Sequence, residues 1–325
     1  MSRGRSGVSM VKLLVCVDIE GISGVNDYRM LDSETYERTK ALATGDVNAV
    51  ALGVREAIPD ATFDIFDAHC GGGNLWEEDL APGCRVLGGG WVTTLAEMVD
   101  CDALSTYDGA ILLGQHAAAG IRDGFVSHTN TLFAALRING RDAGEASQLA
   151  WLLGHYGVPV LFVSGGAAVA REVEALLEEV PTVVVKEVGE HRGVARCIPV
   201  DEAHEKLREQ ARSCARHIEQ ARVQTVGLPV TVDIIYATPG MAETAARFPG
   251  YTRADEHTVS FIADDYVEGW RAYNTSRTIG PMHARLHFFD EVVGVDGVEE
   301  RYKTHVERFV REWLEGDLPY PSVRF

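Results

Sequence analysis

What this chain lacks narrows its function first. No apolar run approaches the ~20 residues that cross a bilayer as a helix, so no membrane partner is expected. Basic residues are scarce: 30 Lys and Arg stand against 48 Asp and Glu, a net charge of −18. Nucleic acid calls for a basic face, and this balance argues against it as a partner. The six cysteines (Cys16, Cys70, Cys84, Cys101, Cys197 and Cys214) show neither a C-x-x-C pair nor framework spacing. Several lie in apolar runs, as buried free thiols do, and a reducing, cytoplasmic setting is expected. Residues 1–10 open basic and small, without an apolar signal core. They read as a disordered extension, with Met10 an alternative start.

What remains is ordinary for a globular protein. At 325 residues the chain suits one large or two ordinary domains, and 46% hydrophobic residues are enough for a sizeable core. The informative stretch is Leu13-Leu14-Val15-Cys16-Val17-Asp18-Ile19-Glu20-Gly21. Leu13 to Val17 reads as a buried strand, and Asp18 and Glu20 follow two residues apart, on one side if the chain stays extended. Converging carboxylates repel unless a cation or a shared proton compensates. The plainer alternative is a solvated pair at the start of a loop.

The chain then alternates. A helix is expected from Asp32 or Ser33 towards Ile58, a strand over Thr62–Asp67, a short strand over Cys84–Leu87 and a short helix over Thr93–Val99. Ala110–Leu113 is a buried strand, and Leu132–Ile138 another that closes on the Asn139-Gly140 turn signal. Gly144-Glu145 opens an apolar helix through Leu153. Pro159–Ser164 and Thr182–Lys186 read as strands flanking a helix over Ala168–Glu179. The alternation predicts an α/β fold, a doubly wound and mostly parallel sheet over residues 11–200. From about Pro199 the texture changes. Asp201–Val223 reads as a charged helix, Pro229–Tyr236 and Thr258–Ile262 as half-exposed strands, and Val298–Leu314 as an amphipathic helix. Residues 201–325 are therefore expected to form a smaller α+β domain.

Three candidate ligands share one circumstance. Asp18, His69 and His116 each follow a strand, and sites in open α/β sheets form outside the carboxyl ends of strands. Glu20 accompanies Asp18, and Glu145 begins a helix in the same half. Three carboxylates and two histidines suit two borderline metals such as zinc, with one carboxylate bridging. Each residue also has a structural alternative: a histidine in a turn or the core, or Glu145 as a helix-start acid. Asp67 and Asp123 read as turn formers.

These residues also carry a resemblance. Val17-Asp18-Ile19-Glu20-Gly21-Ile22-Ser23-Gly24 is similar to the opening motif of the DppA-type D-aminopeptidases, dinuclear zinc peptidases. The likeness continues through Asp67-Ala68-His69, Leu113-Gly114-Gln115-His116-Ala117, Val126-Ser127-His128-Thr129, Asn139-Gly140 and Gly144-Glu145 to Pro159-Val160-Leu161 and Val185-Lys186. It implies two Zn2+ per subunit, with Asp18 bridging, Glu20 and His116 completing one site, and His69 and Glu145 the other. It makes His128 the catalytic histidine. It further implies removal of N-terminal D-residues from short peptides, and a homodecamer of two stacked five-membered rings. The chain departs from the pattern at Cys70 and the glycines after it, which bears on substrate selectivity. Two other classes stay open on the residues alone. One is a metal-dependent phosphatase, since Asp18-x-Glu20 resembles the Asp-x-Asp of haloacid-dehalogenase enzymes; the other is a metal-stabilised binding scaffold without catalysis.

Overall fold

The computed structural model describes residues 10–31 and 35–282, with positions 297, 300, 301 and 304 beyond them. The first half runs β1 (Lys12–Val17), α1 (Tyr36–Ala57), β2 (Thr62–Asp67), β3 (Cys84–Gly89), α2 (Leu95–Asp100), β4 (Gly109–Gln115), β5 (Ala134–Ile138), β6 (Arg141–Asp142) and α3 (Glu145–His155). The second runs β7 (Val160–Gly166), α4 (Ala167–Leu176), β8 (Thr182–Val188), β9 (Ala195–Cys197), α5 (Val200–Arg216), β10 (Val230–Tyr236), α6 (Pro239–Ala245), β11 (Thr252–Arg253), β12 (Thr258–Ala263) and α7 (Tyr266–Ile279).

A seven-stranded sheet has the order β3-β2-β1-β4-β7-β8-β9, parallel except for β9. Its centre is covered on both faces, which is why β1 and β4 are continuous apolar runs. Strand alternation splits β1 between two cores. Leu13, Val15 and Val17 pack with Val47, Val50 and Leu207 from α1 and α5, whereas Leu14 and Cys16 join the core of α3 and the smaller sheet. Each fully buried Leu or Val stabilises by roughly 1.5–3 kcal/mol. The expected mostly parallel α/β sheet is thus present.

The smaller sheet, order β11-β12-β10-β5-β6, is antiparallel. In β10 the buried residues Val230, Val232, Ile234 and Tyr236 alternate with more exposed ones, the half-exposed pattern expected there. One strand lies elsewhere than the alternation suggested. Ala134–Ile138 pairs antiparallel with β10, Ile138 against Val232 and Ala134 against Tyr236, and takes no place in the parallel sheet. The smaller sheet therefore draws strands from both sides of residue 200, while α5, just beyond that point, packs against α1 on the larger layer.

Several boundaries moved for visible reasons. The strand β5 starts at Ala134 because Leu132 is 79% exposed. A π turn over Gly90–Thr94 precedes α2. The helix α5 stops at Arg216 and does not reach Val223, because the chain after it is held along the start of β7, where Val160 N–H donates to Gln224 Oε1 at 3.0 Å. Cys16 is buried, but Cys70 and Cys101 are exposed free thiols. Of the helix expected over Val298–Leu314 only Glu300, Arg301 and Thr304 are described, and they are helical; of the extension expected over residues 1–10 all but Met10 lie outside the described residues.

Candidate metal centre

The parallel neighbours β2, β1 and β4 bring three loops to one sheet edge. Val17, the last residue of β1, lies opposite both Asp67 and Leu113, so Asp18, His69 and His116 emerge together. The loop after β1 lies directly on the end of β4: Asp18 N–H donates to Leu113 O and Gly21 N–H to Gly114 O. A Cβ on Gly21 would stand 2.2 Å from Gln115 O, and one on Gly114 (φ +68°) 2.0 Å from Asp18 O. Only glycine permits that approach, which sets Asp18 beside His116. Glu145 arrives from another direction, as the first residue of α3 after the β5–β6 turn.

All six residues singled out in the sequence converge. His69 Nδ1 lies 3.3 Å from Asp18 Oδ1 and 3.2 Å from Glu20 Oε2. His116 Nε2 lies 3.4 Å from Asp18 Oδ2 and 3.2 Å from Glu145 Oε1. His128 Nε2 is 3.9 Å from both Glu20 and Glu145, and its ring stacks on His116 with centroids 4.0 Å apart. The shortest distances pair Glu20 with His69 and Glu145 with His116, Asp18 serving both. Glu20, His116 and His128 also lie within 4.8 Å of one another, so the same side chains equally permit the pairing of Glu20 with His116 that the resemblance implies.

The donor set fits metal ions. Donors about 2.0–2.1 Å from one tetrahedral ion stand about 3.3 Å apart, as the carboxylate–imidazole pairs do. Among the described residues His116 Nε2 is buried without a hydrogen bond, although two carboxylates face it. Its Nδ1 is 3.0 Å from Ala117 O, and Nδ1 of His128 is 2.8 Å from Val126 O. A carbonyl only accepts, so both rings donate from Nδ1 and turn Nε2 to the site. Asp18, Glu20 and His69 form one group of donors within 4.8 Å of one another; Asp18, His116 and Glu145 form another.

Electrostatics point the same way. Burial, then the charge of Glu20, pushes the Asp18 carboxyl up to about 7, against a hydrogen bond from His69 and the charge of His116. Burial also resists ionisation of Glu20 and Glu145. Attraction to His69 for the first, and to His116 for the second, wins and holds both below the usual carboxylate range. Burial works against the charged forms of His69 and His116 too, yet Glu20 beside the first and Glu145 beside the second raise both. Without an ion, protons on these histidines do the cation's work.

Four supporting groups had been given no role at the site from the sequence. Asp67, expected as a turn former, is buried and accepts from both the backbone and side-chain nitrogens of Asn74 at 2.7 Å; Asn74 Nδ2 also donates to His69 O. Lys186 is buried, donates to the carbonyls of Glu20 and Val25, and is pulled down to about 8 by burial. Its signal was a cation inside the apolar strand Thr182–Val188. Glu172 on α4 accepts Ala118 N–H and Gly144 N–H, both at 2.8 Å, tying the segment after His116 to the residue before Glu145. Asn130 N–H donates to Glu145 Oε1 at 2.6 Å. Asp123, also read as a turn former, is exposed and paired with Arg171. A cavity of about 270 Å³ opens on the cluster, lined among others by His69, His128, Asn130 and Arg277.

Fold and cluster together define a metal-dependent α/β protein whose donors sit at the carboxyl edge of a parallel sheet. The particular family follows from comparison. The D-aminopeptidase family profile matches residues 11–275, and the chain belongs to that family. The D-aminopeptidase of Bacillus subtilis (strain 168) is 31% identical over 269 residues, covering 81% of this chain and 95% of that protein. The solved structure of the Zn-dependent D-aminopeptidase DppA from Bacillus subtilis, a self-compartmentalizing protease, superposes with a TM-score of 0.76. It is 29% identical and covers 83% of this chain and 98% of that one.

Proposed function

We propose that this chain is a zinc-dependent aminopeptidase that hydrolyses the N-terminal residue, a D-amino acid, from short peptides or amino-acid amides. The observation that carries the reading is Asp18, flanked within 3.4 Å by His69 and His116, with Glu20 and Glu145 completing the two donor groups. Two zinc ions per subunit would be held by this set, Asp18 serving both and Glu20, His69, His116 and Glu145 completing them. Bound there, zinc supplies Lewis-acid polarisation of the scissile carbonyl and lowers the pKa of water.

The chain's own residues do the rest. Buried carboxylates facing the cavity favour the protonated amine at a peptide's amino end, which restricts cleavage to the first residue. His128, its Nδ1 held by Val126 O and its Nε2 turned to the site, accepts a proton there and returns it to the leaving amine as the C–N bond breaks and water oxygen joins the carbonyl carbon. Nucleophilic attack by the same nitrogen is the other role its position supports. Selectivity for D-residues and assembly into a homodecamer rest on kinship with the self-compartmentalizing DppA. A cytoplasmic location accords with six free thiols; among the described residues no helix is long and apolar enough to cross a membrane.

The test is hydrolysis of D- and L-alaninamide by purified protein, with zinc and after chelation. Zinc-dependent turnover of the D-form, lost in His116→Ala, is expected. Equal rates with and without metal would overturn the metal mechanism, and preference for the L-form would overturn the stereochemical assignment.

A further inference from the structure

The cavity also holds a cation. Beside the carboxylates and imidazoles, its lining includes Arg277 from α7 and, from the segment after His128, Asn130, whose N–H donates to Glu145 Oε1. Arg277 is held in place: Nε donates to Asn274 Oδ1 at 2.8 Å, one terminal nitrogen donates to Asn130 O at 3.3 Å, and the guanidinium lies over the Tyr273 ring. Tyr273 is buried and donates its hydroxyl to Thr129 O. Among the described residues the other terminal nitrogen has no partner, and no carboxylate pairs with this cation. In a chain of net charge −18, an anchored and unpaired guanidinium beside a carboxylate-rich site is out of keeping with its surroundings.

Asn130 adds an independent sign. Its Oδ1 and Nδ2 are both buried and both without a hydrogen-bond partner among the described residues. Leaving such an atom unsatisfied costs about 1–3 kcal/mol. The residue is held in a left-handed conformation, φ +54°, with its N–H on Glu145. A side-chain amide that offers one donor and one acceptor matches a peptide group, which offers the complementary pair.

We infer that Asn130 and Arg277 form a substrate subsite, in which Asn130 meets a peptide group and Arg277 binds a substrate carboxylate. The inference rests on the aminopeptidase reading and adds a substrate class to it: a small acid-bearing peptide whose amine faces the carboxylate cluster and whose carboxylate faces Arg277. A cavity of about 270 Å³, the volume of about nine waters, holds two or three small residues and no long chain. The carboxylate has two sources, the C-terminus of a very short peptide or an acidic first side chain.

Two matched pairs separate them on the zinc-loaded protein: D-alanylglycine against its C-terminal carboxamide, and D-glutamic acid α-amide against D-glutaminamide. One pair should favour the acid by about 10-fold to 100-fold in kcat/KM, as hydrogen bonds to a charged partner do. The preference should fade with added salt and fall towards parity in Arg277→Met. Calorimetric binding of N-acetyl-D-alanylglycine and its carboxamide repeats the first comparison without turnover. Parity of both pairs in the wild type, or an acid preference that survives in Arg277→Met, overturns the subsite. Should Arg277→Met fail to fold, the wild-type ratios and their salt dependence still decide. Failure on D-alaninamide and every peptide alike would instead strike the aminopeptidase reading on which this one stands.

Discussion

The two donor groups that share Asp18 are built differently. In the first, His69 stands on a loop of Cys70 and three glycines, and its side chain is 13% exposed. Gly71 and Gly73 touch nothing that a Cβ would meet. In the second, His116 and Glu145 side chains are 1% and 6% exposed, and both flanking backbones are tied to Glu172. In the first group His69 has room to adjust, although Glu20 beside it is only 3% exposed; His69 and Glu145 both line the cavity. The second is walled in by strand end, helix start and a stacked ring. A site that must both hold ions and admit a substrate divides those tasks between one rigid half and one accommodating half.

The largest effect should come from the residue that joins the halves. Asp18→Asn keeps the size and removes the charge both groups need. Both metals should be lost, and turnover of D-alaninamide should fall by about a thousandfold, several kcal/mol of transition-state stabilisation. Metal analysis after gel filtration checks the first claim. Retention of both ions in the variant would show that the groups are independent and that Asp18 bridges nothing.

A pH series sharpens the comparison next. Metal-free, Asp18 is raised from its ordinary 3.8 to about 7, and His69 and His116 are raised above their ordinary 6.5. Groups raised on folding stabilise the folded state below their unfolded pKa, and that help is lost as pH climbs through the folded value. From pH 6 to 8 the metal-free protein should therefore lose stability. The zinc-bound protein needs Asp18 ionised and the histidines neutral, so its binding strengthens over the same range. The gap in Tm between zinc-bound and metal-free protein should widen from pH 6 to 8. A gap that narrows would mean that the cluster is not proton-compensated without metal.

How much of this was legible beforehand follows the range of the interactions. Asp18, His69 and His116 could be read because each ends a recognisable strand, and parallel neighbours must deliver their carboxyl ends to one edge. The distances among the donors could not, since they depend on where the start of α3 enters beside Asp18. Leu132–Ile138 was legible as a strand but not as a partner of β10, a pairing across nearly a hundred residues that alternation alone does not specify. Arg277 and Asn130, 147 residues apart, had no local signal at all. Glu172 looked like one more acid on an amphipathic helix; its role exists only in two backbone N–H groups that the fold brings to it.

That last residue offers the finest division between the halves. In Glu172→Gln the side chain keeps its shape, but a donor replaces one of the two accepting oxygens and faces a backbone N–H. One of the two ties is lost, and stability should drop by about 1–3 kcal/mol. If rigidity of the second group is what Glu172 supplies, that group should bind zinc about 10-fold to 100-fold more weakly, as when a support behind a ligand is removed. The first group, which Glu172 does not touch, should keep its ion. Titration of the metal-free variant would then show one tight and one weakened site. Equal weakening of both would make the clamp a general stabiliser of the sheet edge, and the contrast between a rigid and an accommodating half would not survive it.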